Sequence, residues 1–523
     1  MVANVEQYSS QLSAKIWGHR FTDGQRGPEY VLEFLNVLVG TDYNLNSPFY
    51  SRRKALGLRK FIFEGVKEGS KRDLVKLEEA QKKVLYEKIQ DDEKVEVIRE
   101  FFRNLEVPLV DGNGKEADRS WFARTLYPLH ECLLFFEVRK KGNSIGYERN
   151  FFARGGELYY LMLSYGTEDH EELRNSIELK LKTLLRKNVS LKKIVGSICE
   201  VLGDEEKEKD TSYPLKVSEK DEAAPSLPVD TLNNPLFHTF AKELDRLLDI
   251  NVDIYEMFRL LTSLVNFQVM RYIYDRAKTE ENDKILFFFD CLDGQENQTL
   301  KISANTFKNN ELLIKNKFED YFKEIFRSKI GDEENVNNNL EIWKKAPEHT
   351  FLNLMGLTKL RSRRQPVIKT LKQCNDYNDV MTKLFNTVKE VVSDHLKRHQ
   401  LNIVRILARD GGIGNFKSGT NYRYTMSDTF LQSLVFSNVK PNSSIEFSEF
   451  LENIYQQYGF VIGVKQSRES DIYENSRLNI SYFQRNELAL REKLKKNGLL
   501  VEYSDATAMI RNPYDVSEGV KMP

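Results

Sequence analysis

Acidic residues beside an apolar segment are the first candidates for chemistry. Metal-dependent nucleases need an Asp, a second acid one strand on and a lysine, which together hold a divalent ion and activate water. Asp290 ends an apolar run, and Glu296 and Lys301 follow it. The spacing from Glu296 to Lys301 is too long for a Glu-x-Lys pair, because strand side chains alternate faces with period two. Glu137 fits the alternation with Arg139 but lacks an Asp partner, so a divergent nuclease remains only an alternative.

Both glycine-rich segments lack part of a phosphate-binding motif. A phosphate loop needs a lysine and a hydroxyl residue after its glycines, because backbone N–H groups wrap the phosphates while the hydroxyl reaches magnesium. Gly112 to Lys115 is followed by Glu116, whose charge repels phosphate. The segment from Gly411 to Gly414 has no such lysine and follows no clear strand. We interpret these segments as a surface turn and as a helix end with a loop.

Metal-binding patterns are also incomplete. His395 and His399 are one helical turn apart, which suits a metal on one helix face, but the glutamate of an HExxH motif is absent and Lys397 and Arg398 disfavour a dication. The four cysteines are far apart and form no CxxC pair, which favours reduced thiols. We therefore expect no catalytic residue, no metal ligand and no cofactor.

Positive charge is concentrated in one part of the chain. Residues 350–425 contain 14 Lys and Arg against 5 Asp and Glu, although the whole chain balances 78 against 78. Binding to nucleic-acid phosphate is the commonest reason for such a concentration of positive charge. The alternative is a solvated face or a binding surface for an acidic protein. The predicted DNA contacts in this stretch are Arg361, Arg363, Arg364, Lys369, Arg405, Arg409, Lys417 and Arg423.

The last hundred residues follow the plan of a winged helix. Ser427 or Asp428 can cap a first helix, Ser448 a second, and Tyr482 to Asn497 reads as a third. The alternation in 499–511 around a turn then predicts a β-hairpin. The third helix is in the recognition-helix position, and its predicted DNA contacts are Arg485, Arg491, Lys495 and Lys496.

The chain divides at an acidic segment. Residues 203–235 carry nine acids, four lysines and four of the 13 prolines, and have too few apolar residues to offset the entropy of ordering. We predict a mainly helical domain at 1–202, a linker at 203–235, a helical domain at 236–424 and a winged-helix-like domain at 425–523. The third of these is expected to contain a hairpin of 285–290 with 299–303. The predicted class is mainly α with small β-hairpins.

Composition indicates a folded protein in the cytoplasm. The start of the chain is polar and lacks a signal-peptide pattern, and the apolar runs are far shorter than a bilayer requires. A net charge of zero argues against a protein that coats nucleic acid or a membrane through its overall charge. Any anionic partner must therefore be bound locally.

Three segments resemble the large accessory proteins of prokaryotic multi-gene defence systems against phage. They are Trp17 to Asp42, Arg154 to Tyr160, and Leu407 to Asp410 continuing through Tyr424 to Asp428. The resemblance implies that the protein is a partner of an ATPase, helicase or nuclease. It assigns no functional residue to this chain.

These observations together predict a non-catalytic subunit that contacts duplex DNA through the phosphate backbone and binds other protein subunits. A pure protein-interaction scaffold, whose winged helix packs on a partner, is the second alternative besides a nuclease.

Overall fold

Helices make up most of the protein, as predicted, and the sheets are small. The computed structural model describes residues 13, 15–18, 21, 24–51, 56–66, 74–110, 115–116, 121, 124–134, 138–141, 144–147, 155–202, 212–215, 232–279, 284–358, 364–396, 400–416, 421–503 and 507–516. Within these ranges, no helix has both the length and the apolar character needed to cross a membrane.

The first half contains seven helices among its described residues. They are α1 (Gly27–Gly40), α2 (Leu56–Ile62), α3 (Glu79–Ile89), α4 (Asp92–Arg103), α5 (Gly155–Gly166), α6 (Glu171–Arg186) and α7 (Val189–Leu202). Its strands are β1 (Phe49–Ser51), β2 (Val138–Lys141) and β3 (Ser144–Tyr147), and β1 pairs with β4 (Ser212–Pro214).

The second half is longer and also mainly helical. Its helices are α8 (Pro235–Leu247), α9 (Ile254–Ala277), α10 (Asn297–Ile330), α11 (Glu333–Lys345), α12 (Phe351–Leu354), α13 (Arg364–Gln373), α14 (Tyr377–Asp379), α15 (Phe385–Leu396), α16 (Asn402–Asp410), α17 (Asp428–Asn438), α18 (Phe447–Tyr458), α19 (Val464–Glu469), α20 (Ile472–Ser476) and α21 (Ile480–Lys496). A π-helical turn, Val380–Leu384, joins α14 to α15. The strands are β5 (Phe287–Phe288), β6 (Gly414–Asn415), β7 (Arg423–Tyr424), β8 (Ser444–Glu446), β9 (Phe460–Val461), β10 (Leu500–Glu502) and β11 (Ala508–Arg511).

Helix α9 lies at the centre of the main hydrophobic core. Its N-terminus is capped by Asp253, whose side chain accepts from the Glu256 N–H, and buried side chains then occur all around the helix. A helix that is apolar on every side needs neighbours on every side. Accordingly α9 contacts α1, α8, α10, α16 and α17.

The core continues across the acidic segment 203–235. Helices α1 and α5 lie before it in the sequence, and they pack on α9 and α8, which lie after it. One cluster of buried apolar residues therefore includes members from Ile16 to Ile510. A second, smaller cluster is built from 58–133 and the buried face of α7.

The hairpin predicted for residues 285–303 is wrong. Strand β5 pairs in parallel with the distant strand β9, while Thr299 to Ser303 belongs to the first turns of α10. Thr299 and Ser303 are buried there, and the Ser303 hydroxyl donates to the Tyr424 carbonyl. The alternation of side-chain types in 299–303, which suggested a strand, therefore reflects contacts that one side of α10 makes with the core.

The asparagine-rich segment 335–339 lies within helix α11. Asp332 caps α11 by accepting from the Asn335 N–H, and Val336, Leu340 and Trp343 bury one face. Their spacing of three and four residues is the helical one.

Candidate nucleic-acid interface

Residues 428–511 place helix α21 beside a three-stranded sheet. Helices α17, α18 and α21 follow one another with β8 before α18 and with β10 and β11 after α21. The strands lie in the order β8, β11, β10, and both pairs are antiparallel. The predicted third helix, Tyr482 to Asn497, is therefore present as Ile480–Lys496. Strand β9 and helices α19 and α20 lie between the second and third helices, an insertion that the sequence did not indicate.

One asparagine fixes the buried side of α21. The Asn486 amide donates to the carbonyls of Phe289 and Ile462 at 2.9 and 3.0 Å, and its oxygen accepts from the Cys291 N–H at 2.9 Å. These three bonds hold α21 to the ends of β5 and β9. The other buried side chains of α21 follow helical spacing: Phe483, Leu490 and Leu494.

The opposite side of α21 faces solvent and is rich in cations. Its exposed residues are Gln484, Arg485, Leu488, Glu492, Lys495 and Lys496. Arg485 is half exposed, and its Nη1 lies 3.1 Å from a carboxylate oxygen of Glu296, just before α10. Lys496 makes no ion pair with any residue in the described ranges.

Glu502 on β10 offsets part of this charge. Its carboxylate lies 2.8 Å from Lys495 Nζ and 3.4 Å from Arg491 Nη2. The hydrogen bond from Lys495 lowers the pKa of Glu502, so that carboxyl group stays ionised. These pairs tie the helix to the hairpin.

Arg423, one of the predicted DNA contacts, is buried. Its Nε lies 3.4 Å from Asp290 Oδ2, and the two side chains are 6% and 0% exposed. Burial raises the pKa of Asp290, while Arg423 and hydrogen bonds from the Gly294 N–H and the Thr299 hydroxyl lower it by less. Gly294 has a φ of +81°, and a Cβ there would lie 2.9 Å from the Arg423 guanidinium. Arg423 therefore packs against the turn at Gly294 inside the protein.

Two further arginines of the basic stretch also bind internal carboxylates. Arg405 contacts both carboxylate oxygens of Glu311, at 2.6 and 3.2 Å. Arg409 Nε donates to the adjacent Asp410 at 2.7 Å. Part of the charge excess is therefore neutralised within the fold, by Glu311 and Asp290 from outside the stretch.

The remaining predicted contacts in this stretch differ in their surroundings. Arg364 lies 3.5 Å from Glu348, and Lys369 is exposed. Arg361, Arg363 and Lys417 lie outside the described residues.

Lys369, in the first part of the basic stretch, and α21 lie near different ends of α10. This helix has 34 residues and is about 50 Å long at 1.5 Å per residue. Arg485 pairs with Glu296 at its N-terminal end. Near the other end, Phe326 packs against Phe385 of α15, and α13, which carries Lys369, contacts α11 and α15. Lys369 and Arg485 are therefore separated along most of the length of α10.

The residues considered for a nuclease are engaged by different partners. Asp290 pairs with Arg423, Glu296 pairs with Arg485, and Lys301 is exposed on α10. Glu137 lies outside the described residues. Among the residues that the structure describes, no three His, Cys, Asp or Glu side chains are grouped so that they could hold a metal ion.

The three segments that carry the resemblance meet around the start of α1. The Gly27 N–H donates to Asp410 Oδ2 at 2.8 Å, and the Gly156 N–H donates to Glu33 Oε2 at 2.8 Å. The two carboxylates thereby cap the N-termini of α1 and α5, where the helix dipole favours negative charge. Asp410 and Glu33 therefore link separate segments of the core through these hydrogen bonds.

Sequence reasoning missed the exposed cations of α10. Residues 299–303 were expected to be a strand, so the continuous solvent face of Asn297–Ile330 was not visible. Helical spacing of Lys301, Lys308, Lys323 and Arg327 was the available signal.

No protein-family model, curated protein or solved structure matches the chain.

Proposed function

We propose that the protein is a non-catalytic subunit that contacts duplex DNA and binds other proteins, and that residues 425–523 act as a winged helix. The strand order β8, β11, β10 beside an outward-facing α21 carries this proposal, because in winged helices the third helix approaches a groove and the hairpin lies beside it. Arg485, Lys495 and Lys496 supply the positive charge on that face. Contacts of this kind to the phosphate backbone fix position without reading sequence.

The test is the salt dependence of binding to a labelled duplex. Each phosphate contact contributes about 0.9 to the slope of log affinity against log salt, so replacing Arg485, Lys495 and Lys496 by Ala should lower the slope by about two to three. A matched control replaces Lys83, Lys88 and Lys187, which are exposed in the first half of the chain. Equal slopes for the two triple variants would remove α21 from the interface.

Substitution is a cleaner test than truncation. Removing residues 425–523 would take α17 away from α8 and α9, which it contacts in the main core. Loss of binding in a truncated chain would then report loss of folding.

The scaffold alternative is favoured by one observation on the same face. Leu488 is 54% exposed in the middle of α21, and Tyr503 beside β10 is 74% exposed. Leu488 lies among the exposed residues of α21, so a protein partner seated on that face would cover it. Leu488→Ala should then weaken partner binding and leave the salt slope for DNA unchanged.

The resemblance supplies the setting for this proposal: cytoplasmic defence against phage, with an ATPase, helicase or nuclease as the partner. Co-expression with the products of neighbouring genes, followed by purification of a complex of defined stoichiometry, tests it. Partners of unrelated activity, or none, would contradict the defence assignment while leaving DNA contact open.

A further inference from the structure

Helix α10 presents four cations on one solvent-facing side. They are Lys301, Lys308, Lys323 and Arg327, and each is exposed. At 3.6 residues per turn, their separations of seven, 15 and four residues keep the four side chains within a sector of about 100° on one side of the helix. We call these four residues the α10 stripe.

The α10 stripe differs from the other cations of the same helix in having no internal partner. Lys315 lies 3.5 Å from Glu319, whereas no ion pair joins a stripe residue to any other described residue. Between the stripe positions the exposed side chains are mainly amides, from Asn305, Asn309 and Asn316. Glu319 lies on the same face but pairs with Lys315 and Lys389. The exposed acids Asp320 and Glu324 lie three residues before Lys323 and Arg327, along one edge of the stripe.

The stripe falls into two pairs. Lys301 and Lys308 lie in the first turns of α10, while Lys323 and Arg327 lie near its end. At 1.5 Å per residue, the midpoints of the two pairs are roughly 30 Å apart. One helical turn of B-DNA is about 34 Å, so two points on one face of a duplex recur at nearly the same distance.

We propose that α10 lies along one side of a DNA duplex, with the two pairs of the α10 stripe contacting phosphates about one helical turn apart. The charge of the stripe selects a polyanion, and the separation of its pairs selects a rigid duplex long enough to span them. Amide side chains between the pairs can donate further hydrogen bonds to phosphate. Binding through this surface is independent of base sequence.

This proposal rests on the proposed DNA contact but uses different residues from α21. The two surfaces adjoin, because Arg485 of α21 pairs with Glu296 immediately before α10. A duplex that follows α10 therefore reaches the exposed face of α21 at one end. Variants in the two surfaces separate their contributions.

The experiment measures salt slopes for the full chain with a duplex of about 6 base pairs, closed as a hairpin, and one of about 20 base pairs. Replacing all four stripe residues by Ala should lower the slope on the longer duplex by about three to four units. Alanine is the best helix former, so α10 is expected to persist, and circular dichroism checks this. The control replaces four exposed lysines elsewhere, Lys83, Lys88, Lys187 and Lys193.

A separate comparison of salt slopes tests the distance between the two pairs. Substituting either pair alone should lower the slope on the longer duplex by about two units. On the shorter duplex, which is only about 20 Å long, the wild-type slope should be smaller by a similar amount because it cannot reach both pairs. Equal wild-type slopes on the two lengths would overturn the one-turn spacing.

Two outcomes distinguish this proposal from the one on α21. If the stripe variant keeps the wild-type slope while the α21 variant loses it, the α10 stripe is overturned and the proposed function stands. If the wild-type chain shows no salt-dependent binding to either duplex, both are overturned.

Discussion

The basic stretch and α10 use their cations in opposite ways. Arg405, Arg409 and Arg423 come from the part of the chain with the largest charge excess, yet each contacts a carboxylate within the fold. Lys308 and Lys323 come from a segment without a marked charge excess, yet they face solvent. A local excess of positive charge thus identifies where cations are, while the position of each carboxylate determines which of them can bind another molecule.

The physical reason is the cost of burying charge. A buried arginine needs a nearby anion, because the protein interior solvates an isolated ion poorly. Arg423 meets this need with Asp290. Cations on the solvent side of a helix are solvated by water and need no such partner, so their charge remains available to phosphate.

The largest effect is expected from Arg423→Ala. This change leaves the fully buried Asp290 without its cation and should cost about 3 to 5 kcal/mol of unfolding free energy, measured with urea. The folded pKa of Asp290 is raised, so the folded state binds a proton more readily than the unfolded chain as the pH falls. The penalty should therefore be smaller at about pH 5 than at about pH 7.

A second substitution checks the assignment of Arg423. Asp290→Asn in the Arg423→Ala background should recover part of the lost stability, because it removes the uncompensated charge. Full stability of the single variant together with weaker DNA binding would show that Arg423 serves an external ligand.

A smaller effect is expected from Arg405→Ala. The pair with Glu311 is partly exposed, at 34% for Arg405 and 13% for Glu311, so solvent screening reduces its contribution to about 1 kcal/mol. Urea unfolding measures it. A lower salt slope on DNA at unchanged stability would instead mean that Arg405 leaves Glu311 for phosphate.

Lys369→Ala should leave the free energy of unfolding within about 0.5 kcal/mol of wild type, because the side chain is exposed. As a predicted DNA contact, Lys369 should lower the salt slope by about 0.9 when replaced. Lys187→Ala is the control for both measurements. No change in slope would remove Lys369 from the interface.

Cutting the chain should have the smallest effect. Trypsin is expected to cleave first within 203–235, at Lys207, Lys209, Lys216 or Lys220, because this segment is poor in apolar residues. The fragments should nevertheless elute together from a non-denaturing column, since α1 and α5 pack on α8 and α9. Separation of the fragments would show that the core is divided at the linker.

Local signals predicted many helices well. Ser427, whose hydroxyl accepts from the Phe430 N–H, indicated the start of α17. The third C-terminal helix was predicted within two residues at each end. Caps and apolar spacing are local properties, so they can be read from neighbouring residues.

Long-range pairing could not be predicted in the same way. Strand β5 pairs with β9, which lies more than 170 residues later, and no neighbouring residue signals that partner. The sequence also did not show that Arg405 and Arg423 contact carboxylates within the protein, because their partners Glu311 and Asp290 lie far away in sequence. Candidate DNA contacts chosen by composition alone therefore included both kinds of cation.

The central position of α9 has a consequence for synthesis of the protein. Helix α1 emerges from the ribosome early, but α9 and α16, which complete its surroundings, follow much later. At about 5 to 20 residues per second, the growing chain waits roughly 20 to 80 s between the emergence of α1 and that of α16. During that time its apolar faces are uncovered, so the nascent protein is expected to depend on chaperones that bind such surfaces until the last helices arrive.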